Sequence, residues 1–131
     1  MKPITVTGKN RIAVKKKLVR LAKTIAKTRD ANCQFCGKSS GQMHGSHCIP
    51  VSRGFLAATD TGNIIKLCAR CHMRWHEDPT WGAAMLGANR PDVARYLNTC
   101  DYNGWSDIVG AVQDIADELV EAARNLGIEK I

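Results

Sequence analysis

Residues 33–76 read CQFCGKSSGQMHGSHCIPVSRGFLAATDTGNIIKLCARCHMRWH, and this stretch decides the fold. Two C-x-x-C pairs, Cys33/Cys36 and Cys68/Cys71, bracket His44, His47 and Asn63, and His72 and His76 follow at once. Four thiolates on two knuckles suit tetrahedral zinc, which takes four S or N ligands. A site filled by four cysteines is structural, so any chemistry falls to the histidines it holds. All four histidines of the chain lie in this stretch. Gly37, directly after the first pair, lets the backbone turn so that both thiolates face one point.

The cysteines are read as metal ligands rather than disulfides because the chain opens on a basic, polar segment, MKPITVTGKNRIAVKKK, and not on an apolar signal. A cytosolic protein is the expectation, with Cys48 and Cys100 as free thiols. No run is long enough to cross a bilayer. At 131 residues the expectation is a single domain with a modest, aromatic-poor core that a metal would staple: a basic arm and helix over 1–32, the knuckles over 33–76, and a helical extension over 77–131.

The net charge of +7 is uneven. Residues 1–40 hold eleven Lys/Arg against Asp30, residues 41–76 hold four against Asp60, and residues 77–131 hold four against ten acids. A basic front half suits a polyanion, although a solvated lysine-rich helix has the same composition. Val14, Leu18, Leu21, Ala22 and Ile25 keep helical spacing, predicting a helix from about Asn10 to Thr28 with Lys15, Lys16, Arg20 and Lys23 on its other faces.

Further along, Met43–Val51 reads as a strand ended at Pro50, Ser52–Gly62 as a loop, and residues 63–67 as a second strand or an approach to the knuckle. A helix beginning near Cys71 puts His72 and His76 at i and i+4 on one face. Asp78-Pro79 predicts a helix over Thr80–Leu86 stopped by Gly87, and Pro91-Asp92 another. Ser106 is expected to cap a last helix, Asp107–Leu126, with Ile108, Val112, Ile115, Leu119 and Ala123 on its apolar face and Gly127 as its stop. That face suits packing or pairing with another subunit, so a homodimer through the C-terminal helix is one expectation. The tryptophans Trp75, Trp81 and Trp105 read as core.

His47-Cys48-Ile49-Pro50 with Ser52-Arg53-Gly54, then Asn63, then Leu67-Cys68-Ala69-Arg70-Cys71-His72, resembles the HNH endonuclease family in its zinc-knuckle form. With the basic helix before it, the helices after it and His44 three residues ahead of His47, the arrangement is similar to phage recombination endonucleases of the NinG/Rap type. The resemblance implies an α+β fold: a ββα-metal (His-Me finger) core with a four-cysteine zinc knuckle between an N-terminal basic helix and C-terminal helices. It implies a metal-dependent endonuclease acting on DNA in a phage-infected bacterial cytoplasm, on recombination or branched intermediates. Structural Zn²⁺ and a catalytic Mg²⁺, Mn²⁺ or Ni²⁺ come with it.

By position, His47 matches the general base, Asn63 the residue that orients the base or pins the loop, and His72 a ligand of the catalytic metal. Arg53, Arg70 and Arg74 are candidates for gripping phosphates. In many relatives an Asp precedes the active His as a metal ligand, and here that position is Ser46. The missing ligand must come from His44, His76, Asp60 or water. Ser46 also leaves room for a non-catalytic zinc-knuckle DNA-binding module, and the same motif serves nucleases of packaging or homing.

Overall fold

Helix α1 spans Arg11–Arg29 and buries Val14, Leu18, Leu21, Ala22, Ile25 and Ala26, the stripe its periodicity predicts. In this computed structural model, which describes all 131 residues, that stripe packs on α6 (Val109–Asn125) through Val112, Ala116, Leu119, Val120 and Ala123. Val6 of the N-terminal arm and Ile64 complete this first core. Each fully buried leucine contributes about 1.5–3 kcal/mol. The apolar face of α6 is thus taken by α1 of the same chain.

Strands β1 (Met43–His47) and β2 (Ile64–Cys68) form one antiparallel pair, with Met43 opposite Cys68 and His47 opposite Ile64. Strand β2 divides the molecule. Ile64 faces the first core, while Ile65 and Leu67, one pleat apart, join Cys33, Phe35, Cys68, Cys71, Leu86 and Val93 in a second. Gly45 lets α1 lie against β1, since a Cβ there would stand 2.8 Å from Lys23 Cβ and 3.0 Å from its Cα and carbonyl oxygen. Trp75 and Trp81 pack on Phe35 with ring centroids 5.3 and 5.7 Å away, and Trp105 packs on Phe55 at 5.2 Å.

Helix α3 (Ala69–Glu77) follows β2 without a loop, capped by the Cys68 sulfur, which accepts the Cys71 N–H at 3.4 Å. Helices α4 (Pro79–Asn89) and α5 (Pro91–Asn98) close over the second core. No helix is long and apolar enough to cross a membrane.

Four expectations are corrected. The first strand stops at His47 rather than Val51, because the side chain of Asn63 takes the backbone groups of Ile49 that a longer ladder would use. The segment expected as a loop, Ser52–Gly62, contains the short helix α2 (Phe55–Thr59) between turns at Val51–Arg53 and Thr61–Asn63. Gly87 does not end α4, which runs to Asn89 and stops ahead of Pro91, whose ring disfavours helix at Arg90. Ser106 does not cap α6: the helix starts at Val109 without a side-chain cap, and Asp107 instead pairs with Arg11 at 2.9 Å and Lys15 at 2.8 Å. Ile108 is accordingly exposed, and Ala116 and Val120 take its place in the buried stripe.

Candidate metal and histidine site

The sulfurs of Cys33, Cys36, Cys68 and Cys71 all lie within 4.8 Å of one another. Sγ of Cys36 and Sγ of Cys68 are 3.7 Å apart. Zinc with sulfurs at about 2.3 Å in a tetrahedron separates them by about 3.8 Å, so the cluster has the dimensions of a zinc site. The first knuckle closes by Gly37 N–H to Cys33 O at 2.9 Å, with Gly37 at φ +78°, and is tied to β2 by Gln34 N–H to Lys66 O at 2.9 Å. Burial raises the Cys33 thiol, yet backbone N–H groups of Cys36, Cys68 and Phe35 outweigh it and bring it down to about 7. Such donors favour thiolate, the form that ligates, at Cys33, whereas burial and the neighbouring thiols push Cys71 up.

Beside the same hairpin three imidazole rings pack together. His44 of β1 and His72 of α3 stack with ring centroids 4.8 Å apart, and His72 meets His76 edge-on at 4.6 Å. Nε2 of His72 and Nε2 of His76 are 3.1 Å apart. Two nitrogens each about 2.0–2.1 Å from one ion stand about 3 Å from each other, so this pair has the spacing of two ligands. Nε2 of His44 is buried and has no hydrogen-bond partner. A buried polar atom without a partner is costly, and a cation beside it would satisfy it. His72 and His76 thus offer a two-nitrogen site for a divalent ion, whereas the three imidazoles do not bring one nitrogen each to a common point as the four sulfurs do.

Ser46 is buried and its hydroxyl meets Nδ1 of His72, so it aims the ring rather than standing free. Burial lowers the His72 pKa to about 4, helped by the charges of His76, His44, Lys23 and His47. A neutral imidazole at this position keeps its lone pair for a metal. Asp60, another candidate ligand on sequence, is engaged elsewhere: it accepts the hydroxyls of Tyr96 at 2.8 Å and Tyr102 at 2.7 Å.

His47 ends β1, and its Nε2 lies 2.8 Å from the Ala58 carbonyl of α2. A carbonyl only accepts, so Nε2 carries the proton and Nδ1 the lone pair. Burial lowers the His47 pKa, the Ala58 bond opposes this, and Lys23 lowers it further. His47 and His72 are close enough for one charge to act on the other, and Lys23 acts on both. Asn63, fully buried, makes no hydrogen bond to His47. Its Oδ1 accepts Ile49 N–H at 2.7 Å, and its Nδ2 donates to Ile49 O and Ala57 O, each at 2.9 Å. Of the two roles open to it on sequence, its contacts are those of a loop clasp.

The basic residues divide. Lys16, Arg20, Arg53 and Arg70 are exposed and Lys23 is half-buried, and none of them pairs with an acid. Lys15 pairs with Asp107 and lies over the rings of Phe55 and Trp105, while Arg74 stacks on Trp81 at 4.2 Å. Two recesses run along α1, one of about 680 Å³ with Lys2, Lys17, Arg20 and Lys130 beside Glu129 in its wall, the next of about 220 Å³ with Arg20, Lys23 and Lys27. Neither is lined by a histidine. The Ala58 carbonyl, the Ser46–His72 contact and the place of Lys23 were not foreseen from sequence. A backbone acceptor leaves no mark in a sequence, and the other two need the hairpin's register.

A curated protein named Anaredoxin, from Nostoc sp. (strain PCC 7120 / SAG 25.82 / UTEX 2576), is 29% identical over 55 residues, which cover 42% of this chain and 70% of that protein. No solved structure matches the chain. Residues 33–78 match the family model described as HNH endonuclease, and this match supports the HNH family for the segment that carries both the cysteine cluster and the four histidines.

Proposed function

We propose that this chain is a metal-dependent HNH DNA endonuclease in which β1, β2 and α3 form the ββα-metal core. The observation that carries this reading is the His72/His76 nitrogen pair 3.1 Å apart on α3, with His44 of β1 stacked on His72, its Nε2 buried and unpartnered, on the strand that ends in His47. The four cysteines would hold a structural zinc, and His72, His76 and His44 the second, divalent ion. Once bound there, such an ion would supply Lewis-acid stabilisation of the charge developing at the phosphate and at the departing 3′ oxygen.

The chain's own side chains do the rest. His47 is the general base: with its Nε2–H given to Ala58, Nδ1 is the atom that takes the proton of the attacking water. Ser46 fixes the His72 ring by accepting from Nδ1–H, which leaves Nε2 its lone pair. Asn63 positions the loop that presents Ala58. Lys16, Arg20 and Lys23, continuing the basic recesses of α1, follow the DNA backbone, with Arg53, Arg70 and Arg74 nearer the scissile phosphate. The products would be 3′-hydroxyl and 5′-phosphate ends. One site cuts one strand, and a homodimer or two successive encounters would cut both. The NinG-like order of elements points to phage recombination or branched DNA as the substrate, in preference to packaging or homing.

A plasmid-nicking assay with Mg²⁺, Mn²⁺ or Ni²⁺ tests the reading. Nicking that needs the ion and disappears in His47→Ala, with the fold intact, is the expected result. Ser46 in place of an acid favours the second reading, a non-catalytic DNA-binding module, and DNA binding without ion-dependent nicking above the level of the His47→Ala variant would favour it over the first.

A further inference from the structure

Asp60 sits outside the histidine cluster, yet its carboxylate joins three parts of the chain. One oxygen accepts Gly62 N–H at 2.9 Å, and the other accepts both Tyr96 OH of α5 at 2.8 Å and Tyr102 OH at 2.7 Å. Its backbone is used as fully: its N–H caps α2 on Leu56 O at 3.0 Å, and its carbonyl receives Asn63 N–H at 2.9 Å. Tyr96 lies so close that a Cβ on Gly62 would stand 2.5 Å from its ring. Two phenols converging on one carboxylate oxygen make charge-assisted bonds, which are short and strong. Arg29 reaches the same turn through Thr61 O at 2.8 Å and Ile64 O at 2.7 Å.

The consequence lies a few residues away. Asp60 is the C-cap of α2, a helix of five residues that is too short to hold its own shape, and the Ala58 carbonyl within it accepts the hydrogen bond of His47 Nε2–H. The position of the Ala58 carbonyl decides which nitrogen of His47 is free.

We infer that Asp60, held by Tyr96 and Tyr102, is a positioning residue that keeps His47 in its Nε2–H tautomer by fixing the end of α2. The inference rests on the proposed role of His47 as base. It gives the C-terminal segment a task in catalysis, since α5 and the stretch after it supply the two phenols.

The test compares wild type with Tyr96→Phe/Tyr102→Phe, which keeps both rings and removes both donors. Long-range ¹H–¹⁵N spectra of the imidazoles read the tautomer, and single-turnover nicking reads the rate constant and the half-saturating DNA concentration. The wild type should show His47 protonated at Nε2. The variant should show a mixture of tautomers and a rate constant lower by roughly ten- to a hundredfold. Half-saturation should stay within about twofold, because binding is untouched. An unchanged tautomer overturns the inference, whether or not the rate falls. If the wild type itself does not nick DNA, the nuclease reading fails while the spectra still decide this one. Should the double variant not fold, Tyr102→Phe alone is read in the same way.

Discussion

Asn63 grips Ile49 by both of its backbone groups, Oδ1 on the N–H at 2.7 Å and Nδ2 on the carbonyl at 2.9 Å, and holds Ala57 O at 2.9 Å as well. A single fully buried amide therefore replaces the strand ladder where β1 ends. Asn63→Ala leaves these groups without a partner, at about 1–3 kcal/mol for each one that water cannot reach. The expected loss is about 2–4 kcal/mol in urea unfolding, with nicking reduced because α2 loses its anchor at Ala57 and keeps only the one at Asp60. A loss under about 0.5 kcal/mol would mean that the loop is held by other contacts.

Zinc and folding should be inseparable. Cys68 is both a member of the sulfur cluster and the cap of α3, so Cys68→Ser removes a ligand and weakens the start of the histidine-bearing helix. The variant should purify without zinc and lose about 4 kcal/mol or more. Elemental analysis beside thermal unfolding checks this, and a strong chelator should bring the wild type to the same state. A stable, zinc-free wild type would refute it.

The pH dependence has a definite sign. His47 has its pKa lowered chiefly by burial, so it stays deprotonated further into acid than a free imidazole. The acid limb of single-turnover cleavage should lie below pH 6.5. His72 titrates at about 4 when folded and near 6.5 when not. Below 6.5 the unfolded chain binds the proton first, so this contribution to stability is whole above about 6.5 and is lost as the pH falls to about 4. Urea midpoints of the metal-free protein should fall through that window, and His72→Gln should flatten the fall.

Salt dependence separates the cations that face DNA from those that hold the fold. Replacing Lys16, Arg20 and Lys23 by alanine should make the slope of log affinity against log salt shallower by about one for each phosphate that is no longer neutralised. Lys15→Ala should leave the slope nearly unchanged, because that ammonium is paired with Asp107 between α1 and α6. Its effect should appear in thermal stability instead. Fluorescence anisotropy on a labelled duplex from low to moderate salt measures both.

The fold was legible where one residue type has one physical use. Paired C-x-x-C spacing leaves little for four cysteines to do but meet, and they do meet. The i, i+4 spacing of His72 and His76 places both on one face once a helix forms, and the apolar period of α1 matches its buried stripe closely. Boundaries were less legible. Met43–Val51 alternates well enough to read as one strand, but the competitor that ends it is the side chain of Asn63, far along the chain on the other side of α2. Ser106 looks like a cap, yet α1 brings two cations that draw Asp107 away from the helix start.

The sequence by itself determined the composition of the site: four sulfurs, four imidazoles and a basic helix, because spacing along a chain fixes what a knuckle or a helix face carries. Tertiary structure decided which of them meet, and in what state. Stacking His44 on His72, turning Ser46 to His72, giving the His47 proton to Ala58 and taking Asp60 away to two tyrosines all depend on the register of β1 against β2 and the packing of α2 and α5. The physical reason is that hydrogen bonds to backbone carbonyls and contacts across a strand pair are set by distance in space. No local pattern of residues encodes that distance.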